Sequence, residues 1–382
     1  MYTTSDELAE IIQGDCRTWR IWIEDTSSDE IFTGEIIYSA DSQQQSTSKS
    51  DDIETGAVCS SSWTVKIIRT DKNLLKKRYR LYFYLFDNQH PYTLWRDIQG
   101  ETAKELSAKT ILEIMHTAEI IGGELIPMGE FTVVKINNTA DSSEITFADR
   151  LYFSDMIYTG KISGDASDIE KECLALLELE GEDNSLCELF DNNGFQLADK
   201  DGKILLADTY DFYIKSLPEK CTVRQVLSWI ASAHGQFGFV NRFGKYHRKW
   251  YRNAQYKFTE DITDVPVFSA SMQKISGLSC TVSHSLSYFS GDNRGKILEF
   301  ENPLMNENML DAVFRQLKNF QWNTAEFNLM LGDPRLDIGD VCEYADADYE
   351  KIIPISSVAF KFDGGLSAEI KSAGKSDNQL QL

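Results

Sequence analysis

The amino-acid sequence predicts an α+β protein, mainly β, divided into several domains. Three observations lead to that class. The chain has 382 residues, more than one hydrophobic core usually organises. Its apolar residues gather in short runs rich in aromatic and β-branched side chains, alternating with polar ones as half-buried strands do. Only a few segments repeat apolar residues at helical spacing. Hydrophobic residues make up 42% and charged residues 26% of the chain, the balance of a folded protein.

Taken in order, residues 18–23 and 35–38 alternate like two strands of a hairpin around the turn-like residues 25–30. Residues 39–52 are almost entirely Ser, Gln, Thr, Asp and Lys and read as a polar loop. Strands follow at 62–68 and 79–86. Ile111, Leu112, Met115 and Ala118 then place a helix near 107–120, stopped by Gly122-Gly123. β character returns at 126–134 and 144–147, and the first domain closes near Tyr158-Thr159-Gly160.

Beyond it, Ser167 and Glu170 make a capping box ahead of a short amphipathic helix through Ile169, Cys173, Leu174 and Leu177. Thr222 and Gln225 make a second box ahead of Val223, Val226, Leu227, Ile230 and Ala231, with Gly235 where a left-handed cap belongs. Residues 237–240 and 246–251 read as strands around a Gly-containing turn. Strands at 278–282 and 295–300 precede a helix whose face is Met309, Leu310, Val313, Phe314 and Leu317. Strands at 341–344, 352–360 and 366–370 then have the spacing of a barrel or sandwich, with Asp363-Gly364-Gly365 as a turn.

The composition excludes several functions. A formal net charge of −22 opposes non-specific binding to nucleic acid or to an anionic membrane. No apolar run approaches a membrane-spanning length, and the start of the chain lacks a secretory signal, so synthesis in the cytoplasm is expected. Seven scattered cysteines without a Cys-x-x-Cys pair read as reduced, buried thiols and leave no zinc site. No nucleophile elbow, phosphate loop, dinucleotide fingerprint or His-Glu-x-x-His occurs. The acids around Asp199-Lys200-Asp201-Gly202 and Asp346-Ala347-Asp348 do not match a calcium loop, and Asp201-Gly202 reads as a hairpin turn. His234 falls at a helix C-terminus, where the dipole favours a cation. The residues thus imply no enzyme: no catalytic set, no cofactor and no metal.

Charge is uneven along the chain. Residues 1–60 carry thirteen acidic against three basic side chains, residues 163–219 fifteen against four, and residues 221–257 seven basic and none acidic. Within the last stretch Arg242, Lys245, Arg248, Lys249 and Arg252 interleave with Phe243, Tyr246, Trp250 and Tyr251. Such interleaving suits a single-stranded nucleic-acid surface. It equally suits a hairpin with an aromatic face in the core, and the −22 background favours protein contact, with these five cations docking on an acidic surface of the same or an adjacent subunit.

Several segments together carry a family resemblance. They are Cys221-Thr222-Val223-Arg224-Gln225-Val226-Leu227 running on through Gly235 to Asn241-Arg242-Phe243-Gly244-Lys245, the strand entry Ile126-Pro127-Met128-Gly129-Glu130-Phe131-Thr132-Val133, the segment Asp52-Ile53-Glu54-Thr55-Gly56-Ala57, and Gly332-Asp333-Pro334 through Gly339-Asp340-Val341, followed by Gly364-Gly365-Leu366-Ser367-Ala368-Glu369. In this order they resemble the baseplate hub, or tail-tip hub, of phage tails and phage-derived contractile particles.

The resemblance implies two tail-tube-like β-barrel domains, residues 1–160 and 263–371, flanking a mixed α/β middle domain, 161–262, with a polar tail at 372–382. It implies a homotrimer whose six barrels form a ring continuing the tail tube and anchoring the spike or tip. Partners would be the tail tube or distal tail protein, the spike or tip protein, and baseplate wedge or tape-measure proteins. DNA would be only passing cargo, the membrane would not be bound, and the chain would reside in the virion or tail-like particle. An acidic bore would suit such cargo. A receptor- or carbohydrate-binding tail module and a cell-wall hydrolase are the alternative readings.

Overall fold

A computed structural model describes residues 1–13, 17–28, 31–32, 36–46, 52–87, 125–184, 186–188, 197, 206–208, 210–258, 263–264, 266–269, 271–318, 320–345 and 350–374. It is mainly β. Helix α1 (Asp6–Gln13) leads into strands β1 (Arg17–Asp25), β2 (Ile31–Phe32), β3 (Ile37–Gln45), β4 (Ser62–Ile68), β5 (Arg78–Asp87), β6 (Leu125–Asn138) and β7 (Ser142–Ala148). The middle of the chain holds β8 (Gly164–Asp165), α2 (Ala166–Leu176), β9 (Glu180–Gly181), β10 (Leu186–Glu188), β11 (Leu206–Asp208), β12 (Tyr213–Ile214), α3 (Val223–Ala233), β13 (Phe237–Val240), β14 (Lys245–Lys249) and β15 (Arg252–Phe258). The last part runs through β16 (Val267–Phe268), β17 (Gln273–Ser283), β18 (Leu286–Gly291), β19 (Lys296–Glu301), α4 (Glu307–Leu317), β20 (Gln321–Trp322), β21 (Ala325–Leu329), β22 (Asp340–Ala345), β23 (Glu350–Pro354), β24 (Ser357–Phe362) and β25 (Leu366–Ser372).

Eleven of these strands form one antiparallel sheet in the order β16-β21-β25-β24-β3-β4-β7-β6-β5-β1-β2. The strands assigned to two closed barrels are therefore joined in a single open sheet, and the seam is β3 against β24, with Ser357 opposite Gln45 and Lys361 opposite Asp41. The sheet curls strongly. β5 and β24 lie five strands apart, about 24 Å in a flat sheet at about 4.8 Å per strand. Yet the Phe83 ring of β5 is 6.3 Å from Phe360 and 6.4 Å from Phe362 of β24. Trp19 and Trp63 close the same aromatic cluster at 6.0 and 5.6 Å from Phe83. The main core spans both ends of the chain, and a smaller one in the middle gathers Leu151, Ile169, Leu174, Val223, Val226, Ile230 and Tyr246.

Two strand expectations need correction. Of the strand expected at 35–38, the described residues 36–38 do not form a hairpin with β1: β1 pairs with β5 and with β2, whereas β3 pairs with β4 and β24. The supposed polar loop at 39–52 is a central strand as far as Gln45. Its neighbours satisfy its backbone on both sides, so only Ala40 has to be apolar, and that side chain is fully buried opposite Val65 and Phe362. Asp41, Gln43 and Gln45 face away from the core, while Ser42 and Gln44 share the side of Ala40, opposite Trp63 and Val358, so polar composition there does not mean an absence of structure.

Of the two capping boxes, the one at Thr222 is present: its hydroxyl accepts from Gln225 N at 3.2 Å and Gln225 Oε1 accepts from Thr222 N at 2.9 Å. The other is not. Asp165 is the N-cap of α2, Ser167 donates to Asp211 at 2.7 Å, and Glu170 is drawn inward to Arg248. The helix expected at 107–120, the Asp201-Gly202 turn and the tail beyond residue 374 lie outside the described residues. Cys59, Cys173, Cys221, Cys280 and Cys342 are free and buried, as small apolar side chains would be.

Because Phe360 belongs to the C-terminal strands and packs on Phe83 of the N-terminal ones, Phe360→Ala should cost about 3–5 kcal/mol of global stability. Denaturant unfolding followed by far-UV and tryptophan signals together should show one shifted transition. Two separate transitions, only one of them shifted, would mean that the β3–β24 seam does not couple the two ends of the chain.

Candidate interaction surfaces

The basic hairpin is positioned by the local chemistry that precedes it. Helix α3 ends at Gly235, whose φ of +66° a side chain rarely adopts. Strand β13 then pairs with β14, Phe237 opposite Lys249 and Gly238 opposite Arg248. At the tip Asn241 Oδ1 accepts from Phe243 N at 2.9 Å and Lys245 N at 3.0 Å, and Gly244 turns the chain with φ of +77°.

This hairpin does not present five cations on one face. Arg242 is only 8% exposed. Its guanidinium pairs with Asp337 at 3.1 Å, donates to the carbonyls of Pro334 (2.5 Å), Leu336 (2.6 Å) and Pro127 (3.3 Å), and lies 5.6 Å over the Tyr2 ring. It therefore ties the hairpin to β6 and to the segment before β22. Burial tends to raise the Asp337 pKa, but Arg242 and Lys249 outweigh it and hold the carboxyl below its ordinary value. The stability from this pair is thus intact at neutral pH and is lost as pH falls through the carboxylate range.

Arg248, 6% exposed, pairs with Glu170 of α2 at 2.6 Å and donates to Gln236 at 2.8 Å. Burial pushes the Glu170 pKa up, and Arg248 opposes it. Lys249 is buried with its ammonium 4.8 Å over the Phe239 ring. Lys245 is half-exposed and 3.4 Å from Glu180, and Arg252 is partly exposed with its backbone N donating to Gly339 at 2.8 Å. Three of the five sequence-predicted residues are thus turned into the same chain, Arg242 and Lys249 near Asp337 and Arg248 against Glu170, with Lys245 and Arg252 left nearer the surface.

The sequence reading missed two further ties. Arg224 in the first turn of α3 pairs with Asp155 at 2.7 Å and donates to the carbonyls of Val58 (2.6 Å) and Leu151 (3.0 Å). Its signal was available, since a cation in a first helical turn opposes the dipole and needs another reason to be there. Glu178 bridges Arg78 of β5 and Arg150, the latter at 2.9 Å. No sequence spacing announces that contact. His234 also departs from the expectation of a dipole-stabilised cation. It is buried, its ring nitrogens 2.8 Å from the Ile230 carbonyl and 2.9 Å from that of Tyr210, and burial, reinforced by Arg248, lowers its pKa to about 4.

A second surface is the outward face of the central strands. Opposed residues of an antiparallel pair share a face. Lys361 therefore stands beside Asp41, and Lys66 beside Glu144, while Lys371 reaches Glu369 at 2.8 Å and Glu326 at 3.2 Å. Between these charges lies a band of Gln43, Gln45, Ser62, Thr64 and Thr146. The face carries both signs and is not an acidic wall. Among the described residues no group of His, Cys, Asp or Glu side chains is placed to hold a metal, and no helix is long and apolar enough to cross a membrane.

Arg248→Met should cost about 3–5 kcal/mol, because it strands the buried Glu170 carboxylate, and Arg248→Met with Glu170→Leu should recover most of that loss. Lys245→Met, at a half-exposed pair, should change stability by less than about 0.5 kcal/mol. Urea unfolding of the four proteins measures all three. Equal effects of Arg248→Met and Lys245→Met would contradict the burial difference.

Neither a protein-family model nor a curated protein matches the chain. Among solved structures, it is similar to the 43 kDa tail protein of prophage MuSo2 from Shewanella oneidensis, with 12% identity, 92% of this chain and 98% of that one covered, and a TM-score of 0.50. It also matches the tail protein from Neisseria meningitidis MC58, at 10% identity, with 94% and 97% covered and a TM-score of 0.49. The chain shares the fold of the MuSo2 prophage tail protein.

Proposed function

We propose that the chain is a structural component of a phage tail or phage-derived particle, namely the baseplate or tail-tip hub. In this reading three copies form a ring that continues the tail tube and anchors the tip. The observation that carries it is the β3–β24 seam, through which an N-terminal β unit and a C-terminal β unit of one chain share a sheet. Two tube-like units joined side by side are what a ring of six units from three chains requires. The shared fold with a prophage tail protein and the ordered motifs of the hub family support the same assignment.

Docking by neighbouring tail proteins is supported by the middle region, where Tyr152, Ile157, Ile162 and Tyr213 are each more than half exposed. Large apolar side chains in water are usual at protein contacts. Candidate partners remain the tube or distal tail protein, the spike or tip, and wedge or tape-measure proteins, within a particle assembled in the bacterial cytoplasm. The role is architectural and needs no reaction.

Native mass measurement of the assembled particle should find three copies of this chain. Six copies, or one, would overturn the hub assignment. The purified chain should also leave peptidoglycan intact in a turnover assay, and hydrolysis abolished by a single carboxylate substitution would transfer the function to the hydrolase reading.

A further inference from the structure

The free strand edges of this protein differ in how they are protected. β2 and β16, at the two ends of the eleven-stranded sheet, are two residues long. In the smaller sheet β18-β17-β19, the edge strand β19 carries Lys296, Glu299 and Glu301. Short edges and charged edges both discourage an added strand. The opposite edge of that sheet, β18, has neither defence. Its residues Leu286-Ser287-Tyr288-Phe289-Ser290-Gly291 include no charge and no proline, and among the described residues only β17 pairs with it. Leu286 is 42% and Phe289 46% exposed.

Helix α4 walls this edge on one side. The Phe289 ring lies over Gly277 of β17, where a Cβ would be 2.9 Å from its Cζ, and the Phe314 ring of α4 lies by Gly291, where a Cβ would be 2.7 Å from its Cζ. Two glycines thus leave a shallow strip beside the helix, bordered by two aromatic rings. On α4, Glu307, Asp311, Phe314 and Lys318 recur at three- and four-residue spacing and share one row. Among the described residues neither carboxylate is in an ion pair, Arg315 donating instead to the Asp311 carbonyl at 3.2 Å. The rim is therefore acidic over the two turns before Phe314.

We propose that the free edge of β18 takes up an extended segment of a different tail protein as an added strand, with apolar side chains against Phe289 and Phe314 and a basic one facing Glu307 and Asp311. Backbone pairing supplies the attachment, and the alternate side chains select the partner. Charge complementarity favours a basic segment, since the rim is acidic and the whole chain carries −22. The choice of a different protein over a second copy rests on the hub reading. Identical edges pair across a two-fold axis, and a ring of three copies has none.

Hydrogen–deuterium exchange over residues 284–292 tests the edge, both in the isolated full chain and in the assembled particle. In the isolated chain the outward amides should exchange rapidly at every protein concentration, and in the particle at least about tenfold more slowly, since they gain a partner only when a strand is added. A photo-cross-linking side chain placed at the exposed Ser287 should capture a segment of another protein that contains lysine or arginine. Glu307→Lys with Asp311→Lys, both at exposed positions, should leave circular dichroism unchanged and lower incorporation into particles at least about fivefold.

Unchanged exchange in the particle, or the absence of any adduct, would overturn strand addition. Protection that rises with concentration in the isolated chain, or an adduct with this chain itself, would assign the edge to a second copy and overturn the proposal. An adduct on a segment without a basic residue, or full incorporation of the charge-reversed variant, would overturn the charge match. Copy number is measured on the same particles. Three copies with β18 unprotected would sink the docking alone, and another number with β18 cross-linked to a different protein would sink the hub reading alone.

Discussion

A polar strand can hold the centre of a large sheet only if both of its backbone edges are paired, and β3 meets that constraint by taking β4 on one side and β24 on the other. The rest of the architecture follows from it. With β24 fixed beside β3, the C-terminal strands β25, β21 and β16 extend the sheet begun by the N-terminal ones. The curl of that sheet then brings Phe360 and Phe362 onto Phe83, so aromatic burial reinforces the pairing from the core side. Residues more than 300 positions apart thereby share one core, with Phe360 N donating to Ser42 Oγ across the seam at 2.9 Å.

Buried arginines do a different task. Taking a guanidinium out of water costs several kcal/mol, and an ion pair inside a protein seldom returns much more than that. Arg242 and Arg248 are therefore better understood as fixing positions than as adding net stability. The donors of Arg242 are distributed over Asp337 and the carbonyls of Pro127, Pro334 and Leu336, which belong to segments far apart in sequence. A guanidinium fork can donate to such a set only when every segment is in place. Arg248 does the same for α2 through Glu170, and Arg224 for the turn around Leu151. The middle region is held to both β units by cations whose acceptors come from the same chain.

The charge of the protein divides accordingly. Acids gathered near residues 163–219 supply Glu170 and Glu180 to the basic hairpin, whereas the outward sheet face carries both signs. Apart from these charges, the described residues also expose large apolar side chains such as Tyr152 and Tyr213. In the proposed assembly, copies of strongly negative net charge would repel one another at long range, and short-range burial of such side chains would offset that.

The sequence alone determined the mainly β class, helix α3 with its capping box and left-handed stop, helix α4, and strands β17, β19, β22 and β25, because those features depend on spacing within ten residues or so, whereas the strand expected at 352–360 is divided into β23 and β24, and β18 and β21 are not predicted. It also carried, through ordered motifs, the resemblance to tail hub proteins. Tertiary structure decided everything that depends on pairing at long range. Residues 39–45 read as a loop because their side chains are polar, and only the neighbouring β4 and β24 make them a strand. Glu170 read as half of a capping box until Arg248 drew it inward. Arg242, Arg248 and Lys249 read as a surface patch because alternation gives the face of a side chain but not what lies over that face. In each case local alternation set the direction of a side chain, and another segment, more than 300 residues away for β3, decided whether that direction meant water or protein.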